Sequence, residues 1–121
     1  MIAYLDHLLT WQWQGYARNH TLRSNLLLHL ASVPFFVAGV LALVHSVVRL
    51  QWLGAAFAAG AALLAFAVQG IGHRLEPARP EPFQGPLDAI ARTLAEQFIT
   101  FPRFVLSGGW FDQFARASRK D

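Results

Sequence analysis

Two long apolar runs decide the fold: SNLLLHLASVPFFVAGVLALVHSVV at residues 24–48 and LQWLGAAFAAGAALLAFAVQGIGH at residues 50–73. Between Arg23 and Arg74 the only formally charged residue is Arg49. A helix needs about 20 apolar residues to cross the hydrocarbon core of a bilayer, so each run is long enough to span it. The connection at Arg49 is short, which predicts an antiparallel transmembrane hairpin. Small residues fill the second run and allow the two helices to approach closely.

The composition also indicates a membrane protein. Hydrophobic residues make up 55% of the 121 residues and charged residues 14%, against about 25% charged in soluble domains. The formal net charge is +3 and the basic residues are scattered, which is typical of membrane-flanking arginines and not of a nucleic-acid site. Cysteine is absent, which excludes disulfides, thiolate nucleophiles and thiolate metal ligands. We therefore expect one all-α membrane domain over residues 1–121, with no nucleic-acid partner.

Shorter segments on both sides of the hairpin predict helices at the membrane interface. Residues 1–15 combine apolar and aromatic positions but lack the basic start and cleavage site of a signal peptide. Residues 98–111 are aromatic yet too short to span, which predicts an interfacial or re-entrant helix. Four of the six prolines lie within residues 74–86, and they predict a rigid loop before a helix that begins near Asp88.

The arginines suggest an orientation. Most of those near the spans lie at the open end of the hairpin: Arg18, Arg23, Arg74, Arg79, Arg92 and Arg103. The positive-inside rule then places both termini in the cytoplasm. Without a targeting segment, we expect an integral protein of a bacterial inner membrane. The small-residue face of the second span is also compatible with a homo-oligomer.

Two polar pairs meet at the open end of the predicted hairpin. Asn25 and His29 share one helix face at the start of the first span, and Gln69 and His73 share one at the end of the second. Asn25 lies 24 residues before Arg49 and His73 lies 24 residues after it. Antiparallel pairing therefore puts these two at the same depth, with His29 one turn deeper and opposite Gln69. Ionisable groups at membrane depth indicate a functional site.

His20 can join this cluster if the first span begins after it. Nine residues of continuous helix would otherwise put it on the side opposite His29. Glu76 follows His73 closely and is the nearest carboxylate in the sequence. Imidazoles with a carboxylate bind Fe, Zn, Cu or Ni and leave positions open for substrate. The alternative is that these polar side chains only hydrogen-bond across the helix pair.

The other polar candidates have simpler interpretations. His7 and His45 fit side chains at the level of the lipid headgroups. Asp88 and Glu96 lie two turns apart on one helix face, which favours a solvated surface. The sequence contains no nucleophile elbow, HExxH, P-loop or Rossmann glycine pattern.

The two histidine motifs resemble those of the Mpo1-like family: Tyr16-x3-His20-x4-Asn25-x3-His29 followed by Pro34, and Gln69-Gly70-x-Gly72-His73-x2-Glu76 with Pro80. The matched motifs extend from residue 16 to about residue 80, and the hydrophobic hairpin between them agrees as well. Characterised fungal members of that family are membrane enzymes of the endoplasmic reticulum. They are Fe(II)-dependent dioxygenases that convert a 2-hydroxy fatty acid to the acid one carbon shorter, a step of fatty acid α-oxidation.

This resemblance implies an iron centre in the present chain. Carried over by motif, His20, His29 and His73 hold Fe(2+). Glu76 joins the catalytic set, although it follows the histidine by three residues where the family usually has four. We expect the substrates to be a 2-hydroxy fatty acid and dioxygen.

The environment of this centre is predicted from position. We expect Asn25, Gln69 and Tyr16 to support the metal ligands. Arg74 or Arg79 could pair with the substrate carboxylate, although lipid-headgroup anchoring explains these arginines equally well. The small-residue groove and the aromatic segment 98–111 would hold the acyl chain.

Two rival functions stay open at this point. One is a non-enzymatic helical membrane scaffold, and the other is a zinc-dependent membrane hydrolase at the same site.

Overall fold

The computed structural model describes residues 1–117, so the last four residues of the predicted domain lie outside the described part. Its elements are helical: α1 (Ile2–Gly15), a 3-10 turn (Ala17–Asn19), α2 (Arg23–Val48), α3 (Trp52–Leu75), α4 (Pro86–Ala95), a π-helical turn (Glu96–Thr100), α5 (Phe101–Leu106) and α6 (Gly109–Arg116). The predicted all-α class is confirmed.

Helices α2 and α3 are long and apolar enough to cross a membrane, and their bounds lie within two residues of the predicted spans. Gly39 in the middle of α2 lies against Ala62 of α3, where a Cβ on the glycine would come within 3.0 Å of the Ala62 backbone nitrogen. Asn25 at the start of α2 lies against Gly72 near the end of α3. The two helices therefore run in opposite directions and are in close contact along their length.

The connection between α2 and α3 is a tight turn. Leu50 has a positive φ of 57°, and the N–H of Gln51 donates to the carbonyl of Ser46 at 2.8 Å. A left-handed residue followed by this backbone bond is a common way to end a helix. The chain can therefore reverse within three residues.

The start of α2 is capped by a carboxylate from the far end of α3. Leu22 occupies the N-cap of α2 and has no side-chain acceptor to offer, and its own backbone N–H lies outside the intrahelical hydrogen bonds. Glu76, which is buried, accepts hydrogen bonds from the backbone N–H of Thr21 at 2.8 Å and of Leu22 at 3.0 Å. It also accepts from Asn25 Nδ2 at 2.9 Å and Thr21 Oγ1 at 2.6 Å. A negative charge at a helix N-terminus is further stabilised by the helix dipole.

The helices after the proline loop pack back onto this end of the α2–α3 pair. Helix α4, the π turn and α5 follow one another without a break. Phe101, Phe104 and Trp110 are buried in one cluster with Tyr16 and Leu26, and the indole N–H of Trp110 donates to the Leu26 carbonyl at 3.1 Å. These aromatic side chains of the segment 98–111 thus pack inside the protein and are not available as an acyl-chain surface.

We expect Gly39→Leu to destabilise the protein through the α2–α3 contact. The added side chain must displace the α3 backbone at Ala58 and Ala62, and overpacking of this kind costs about 2 kcal/mol. Thermal unfolding followed by circular dichroism in detergent measures the loss. Gly60→Leu is the matched control because a Cβ at Gly60 meets no atom within 4 Å. Equal unfolding temperatures for the two variants would contradict this packing.

Variants of Glu76 test the cap. Glu76→Ala removes the acceptor of two backbone amides and leaves the Asn25 side-chain amide with only its 3.4 Å hydrogen bond to the Asn19 carbonyl. We expect this change to lower the free energy of unfolding by about 3 kcal/mol or more. Glu76→Gln keeps one acceptor oxygen and should recover most of that loss. The same denaturation measurement on Glu81→Ala, which changes an exposed carboxylate of the proline loop, should show almost no effect. A Gln variant as unstable as the Ala variant would count against capping by the carboxylate.

Candidate metal centre

Three histidines from three different segments converge at the end of the α2–α3 pair where Glu76 lies. His20 follows the 3-10 turn, His29 lies near the start of α2, and His73 lies in the last turn of α3. The ring centroids are 4.6 Å apart for His20 and His29, 4.9 Å for His20 and His73, and 4.8 Å for His29 and His73. The break between the 3-10 turn and α2 is what allows His20 to turn back toward His29. His45 lies near the other end of α2, and His7 lies on α1 with an exposed side chain.

Backbone carbonyls fix the orientation of two of these rings. The Nδ1 of His20 lies 2.7 Å from the carbonyl oxygen of Tyr16, and the Nδ1 of His29 lies 3.0 Å from that of Asn25. Because a carbonyl only accepts hydrogen bonds, each Nδ1 must carry a hydrogen. In the neutral rings both Nε2 atoms then present a lone pair, and these atoms face each other at 3.4 Å. Two opposed lone pairs repel one another unless a cation lies between or beside them.

Glu96 completes the cluster from the π-helical turn. Its Oε2 lies 3.8 Å from the Nε2 of His20 and 3.8 Å from that of His29. One ligand atom from each of Glu96 and the three histidines can be chosen so that all four lie within 4.8 Å of one another. Burial raises the pKa of Glu96 to about 7, while the hydrogen bond from Tyr16 acts in the opposite direction. The carboxylate therefore gains from a cation beside it.

The sequence-based interpretation of Glu96 as part of a solvated face with Asp88 is wrong. The π turn widens the helix at residues 96–100 and directs Glu96 toward the imidazoles. The sequence does contain a signal for this role. Glu96, Gln97 and Thr100 are three polar residues in an otherwise apolar stretch, which indicates that this segment buries polar side chains for a purpose other than core packing.

Reciprocal amide bonds hold the π turn in place. Gln97 Nε2 donates to Gln69 Oε1 at 2.6 Å, and Gln69 Nε2 donates to Gln97 Oε1 at 2.9 Å. Both glutamines are buried. The hydroxyl of Thr100 also bonds to Gln12 of α1. Gln69 therefore supports the site by fixing the neighbour of Glu96, and its amide does not bond to a histidine.

Tyr16 supports the cluster in two ways. Its ring stacks on the His20 imidazole with centroids 4.1 Å apart and planes inclined by 20°. Its hydroxyl donates to Glu96 Oε2 at 3.0 Å. Burial and the neighbouring Glu96 charge raise the Tyr16 pKa well above its usual value, so the hydroxyl keeps its proton and remains a donor.

Asn25 and Glu76 form a second layer beneath the histidines. The Asn25 backbone carbonyl orients His29, while its side-chain amide bonds to Glu76. Glu76 directs its carboxylate to the start of α2 and not into the cluster. It thereby fixes the residues on either side of His20 and His29, and Glu96 takes the place beside the imidazoles that we had expected Glu76 to occupy.

A cavity of about 410 Å³ opens beside the cluster, between α3, α4 and the proline loop. His73 and Glu96 lie on its wall, as do Arg74 and Arg79, whose side chains are exposed. A second cavity of about 230 Å³ shares His73, Arg79 and Glu96 with the first and also reaches His20. The two predicted substrate arginines therefore line the same cavity as His73 and Glu96.

Arg92 fastens the proline loop over this cavity. Its guanidinium donates to the carbonyls of Glu81 at 2.8 Å and Pro82 at 3.1 Å. It also lies 4.6 Å from the ring centroid of Phe83 and 4.9 Å from that of Trp11. The loop is thus held between α4 and α1, which gives the cavity a fixed outer wall.

The donor set fits a divalent metal ion. Three imidazoles and one carboxylate are a ligand combination that suits iron, zinc and other first-row metals. Among the described residues, Nδ1 of His73 is buried without a hydrogen-bond partner. Burial and the two neighbouring imidazoles lower the pKa of His20 well below its usual value, which keeps this ring neutral and able to bind a metal. A metal would satisfy the opposed lone pairs and the Glu96 charge at once.

Comparison with known proteins gives a match to a protein family. A family model described as "2-hydroxy-palmitic acid dioxygenase Mpo1-like" matches residues 7–101, a range that contains all four members of the cluster. No curated protein and no solved structure matches the chain. The family match covers well over half of the sequence and agrees with the resemblance of the two histidine motifs. The chain belongs to the Mpo1-like family.

Proposed function

We propose that this protein is an Fe(II)-dependent dioxygenase that cleaves a 2-hydroxy fatty acid to the acid one carbon shorter, as in fatty acid α-oxidation. The observation that supports it most is the cluster of three imidazoles and one carboxylate, two of whose members, His73 and Glu96, line a cavity, in a chain whose family is described by that activity. Iron oxygenases use histidine and carboxylate ligands that leave positions open for substrate and oxygen.

Four residues would hold the metal: His20, His29, His73 and Glu96. Bound iron would supply the activation of dioxygen and the oxidation of the 2-hydroxy acid. Tyr16 keeps Glu96 in place through its hydroxyl, and the carbonyls of Tyr16 and Asn25 hold two imidazoles with Nε2 toward the centre. Hydrogen bonds behind metal ligands typically change metal affinity 10- to 100-fold when removed.

Arg74 and Arg79 are the residues we assign to the substrate carboxylate. Both line the cavity that contains His73 and Glu96. The guanidinium of Arg92 lies on the same cavity but is engaged by loop carbonyls and by Asp88. An arginine can grip a carboxylate through two parallel hydrogen bonds, which would present the hydroxylated carbon in a fixed orientation.

We further propose that α2 and α3 cross the membrane as an antiparallel hairpin, with the cluster at the cytoplasmic end. Large apolar side chains project outward from both helices, among them Phe35, Leu53, Phe57 and Leu63. A soluble monomer rarely exposes so continuous an apolar surface. The arginines at the cluster end give the orientation through the positive-inside rule, and a bacterial inner membrane is the location we propose.

The first test is metal binding by protein purified anaerobically with Fe(II). We expect about one iron per chain in the wild type, as a single site of this ligand set implies. His29→Ala should lose the iron, and Glu96→Gln should bind it at least tenfold more weakly. His45→Ala is the matched control, and Glu76→Gln should also retain the metal in its folded fraction. Iron in the His29→Ala variant would contradict the site, and stoichiometric zinc in preference to iron would favour the hydrolase.

The second test is turnover of 2-hydroxypalmitic acid by the iron-loaded protein. Oxygen uptake should accompany loss of the substrate and appearance of pentadecanoic acid, and it should stop when zinc replaces iron. Palmitic acid is the control substrate because it lacks the hydroxyl group that the reaction oxidises. A loaded, folded protein that consumes no oxygen with the hydroxy acid would contradict the proposed activity and leave the scaffold interpretation.

A further inference from the structure

The lining of the cavity beside the histidine cluster is polar in part and apolar in part. Its polar members include His73, Glu96, Arg74 and Arg79. Its apolar members include Phe66 of α3 and Phe83 of the proline loop, both partly exposed at the protein surface. A molecule that contacts both kinds of side chain is amphiphilic.

One face of α3 forms the floor of this space. Phe66, Gly70 and His73 recur at helical spacing and all line the cavity, with Thr93 of α4 facing them. From His73 to Phe66 the helix descends seven residues, or about 10 Å along its axis, away from the cluster. We call this floor, with the wall at Thr93 and Phe83, the α3 trench.

Gly70 keeps the trench open. A Cβ at residue 70 would meet no atom within 4 Å, so close packing against another part of the described chain does not account for the glycine. The neighbouring Gly72 differs, since a Cβ there would overlap the side-chain oxygen of Asn25. Gly72 thus serves helix contact, whereas Gly70 leaves space beside His73.

We propose that the α3 trench holds the alkyl tail of the 2-hydroxy acid, and that Gly70 determines the chain length that the site accepts. This inference rests on the proposed function and names the part of the site that binds the tail. The carboxyl end stays with the cluster and the arginines, and the tail passes over Gly70 toward Phe66. If α3 crosses the membrane, this direction is that of a fatty acid already in the bilayer, with its carboxylate at the interface and its tail inward.

The other surfaces predicted to hold the acyl chain are in part buried and in part separate from the cluster. Ala58, Ala62 and Ala65 of α3 are buried, whereas Ala56, Gly60 and Ala61 line a groove whose lining contains no member of the cluster. The rings of Phe101 and Phe104 are buried in the core with Tyr16. The α3 trench, in contrast, is open and begins at His73.

Binding of acids of increasing length to the anaerobic iron-loaded protein tests this proposal. The probes are 2-hydroxybutanoic, 2-hydroxyhexanoic and 2-hydroxyoctanoic acid, and calorimetry measures the Kd of each. In the wild type we expect affinity to rise by up to about fourfold for each added methylene that leaves water. In Gly70→Leu the shortest acid should bind within about twofold of the wild type, while the gain per methylene should largely disappear.

Two further variants and one prior measurement make the result decisive. Gly60→Leu is the matched control, because it adds the same side chain to the same helix at a position that is open but lines a different groove. It should keep the wild-type gain per methylene. Thr93→Leu narrows the trench from α4 and should reproduce the loss even if Gly70→Leu fails to fold. Iron content and circular dichroism establish that each variant is folded and loaded before binding is measured.

The possible failures can be distinguished. An undiminished gain per methylene in folded Gly70→Leu and Thr93→Leu, or an equal loss in Gly60→Leu, would overturn the trench while leaving the proposed activity intact. A wild type that binds metal but none of the hydroxy acids would overturn both the proposed substrate and the trench.

Discussion

The hydrogen bonds accepted by the Glu76 carboxylate are the constraint on which the site depends. They join the end of α3 to the start of α2 through the amides of Thr21 and Leu22 and the side chain of Asn25. His20 directly precedes Thr21, and the carbonyl of Asn25 orients His29. A buried carboxylate is costly unless its charge is matched by donors, and here four donors satisfy it. One side chain therefore sets the positions of two imidazoles relative to the third, on α3.

The cluster of three histidines and Glu96 is unfavourable without a bound cation. Two imidazoles are fixed with their lone pairs opposed, and a partly buried carboxylate lies beside them. In the absence of positive charge these groups repel one another. Three features hold them together against this repulsion: the hydrogen bonds of Glu76, the stacked Tyr16 ring and the paired glutamines. Metal binding would turn that repulsion into attraction, which couples occupancy of the site to the stability of this end of the protein.

The sequence predicted the features that depend on simple helix geometry. Counting residues from Arg49 placed His29 near His73, and the two apolar runs predicted α2 and α3 almost to the residue. The position of Glu96 could not be obtained by counting residues, because a π turn changes the helix face on which a residue lies and no residue type predicts such a turn.

The role of Glu76 was also missed. Its proximity to His73 in the sequence suggested a catalytic role. In the structure its carboxylate instead accepts hydrogen bonds from the backbone amides of Thr21 and Leu22, just before α2. The tail site depends on which side of α3 is left uncovered by α2 and α4, and that is decided by packing.

Iron K-edge X-ray absorption of the anaerobically loaded protein would test the central claim most directly, since it reports the ligands of the metal themselves. The account predicts a first shell of nitrogen and oxygen only, with the multiple scattering of three imidazoles and with one carboxylate oxygen. It also predicts that adding a 2-hydroxy acid changes the shell without loss of the imidazole scattering. A shell dominated by oxygen, with one imidazole or none, would show that iron binds elsewhere and would contradict the assignment of His20, His29, His73 and Glu96 as a single metal centre.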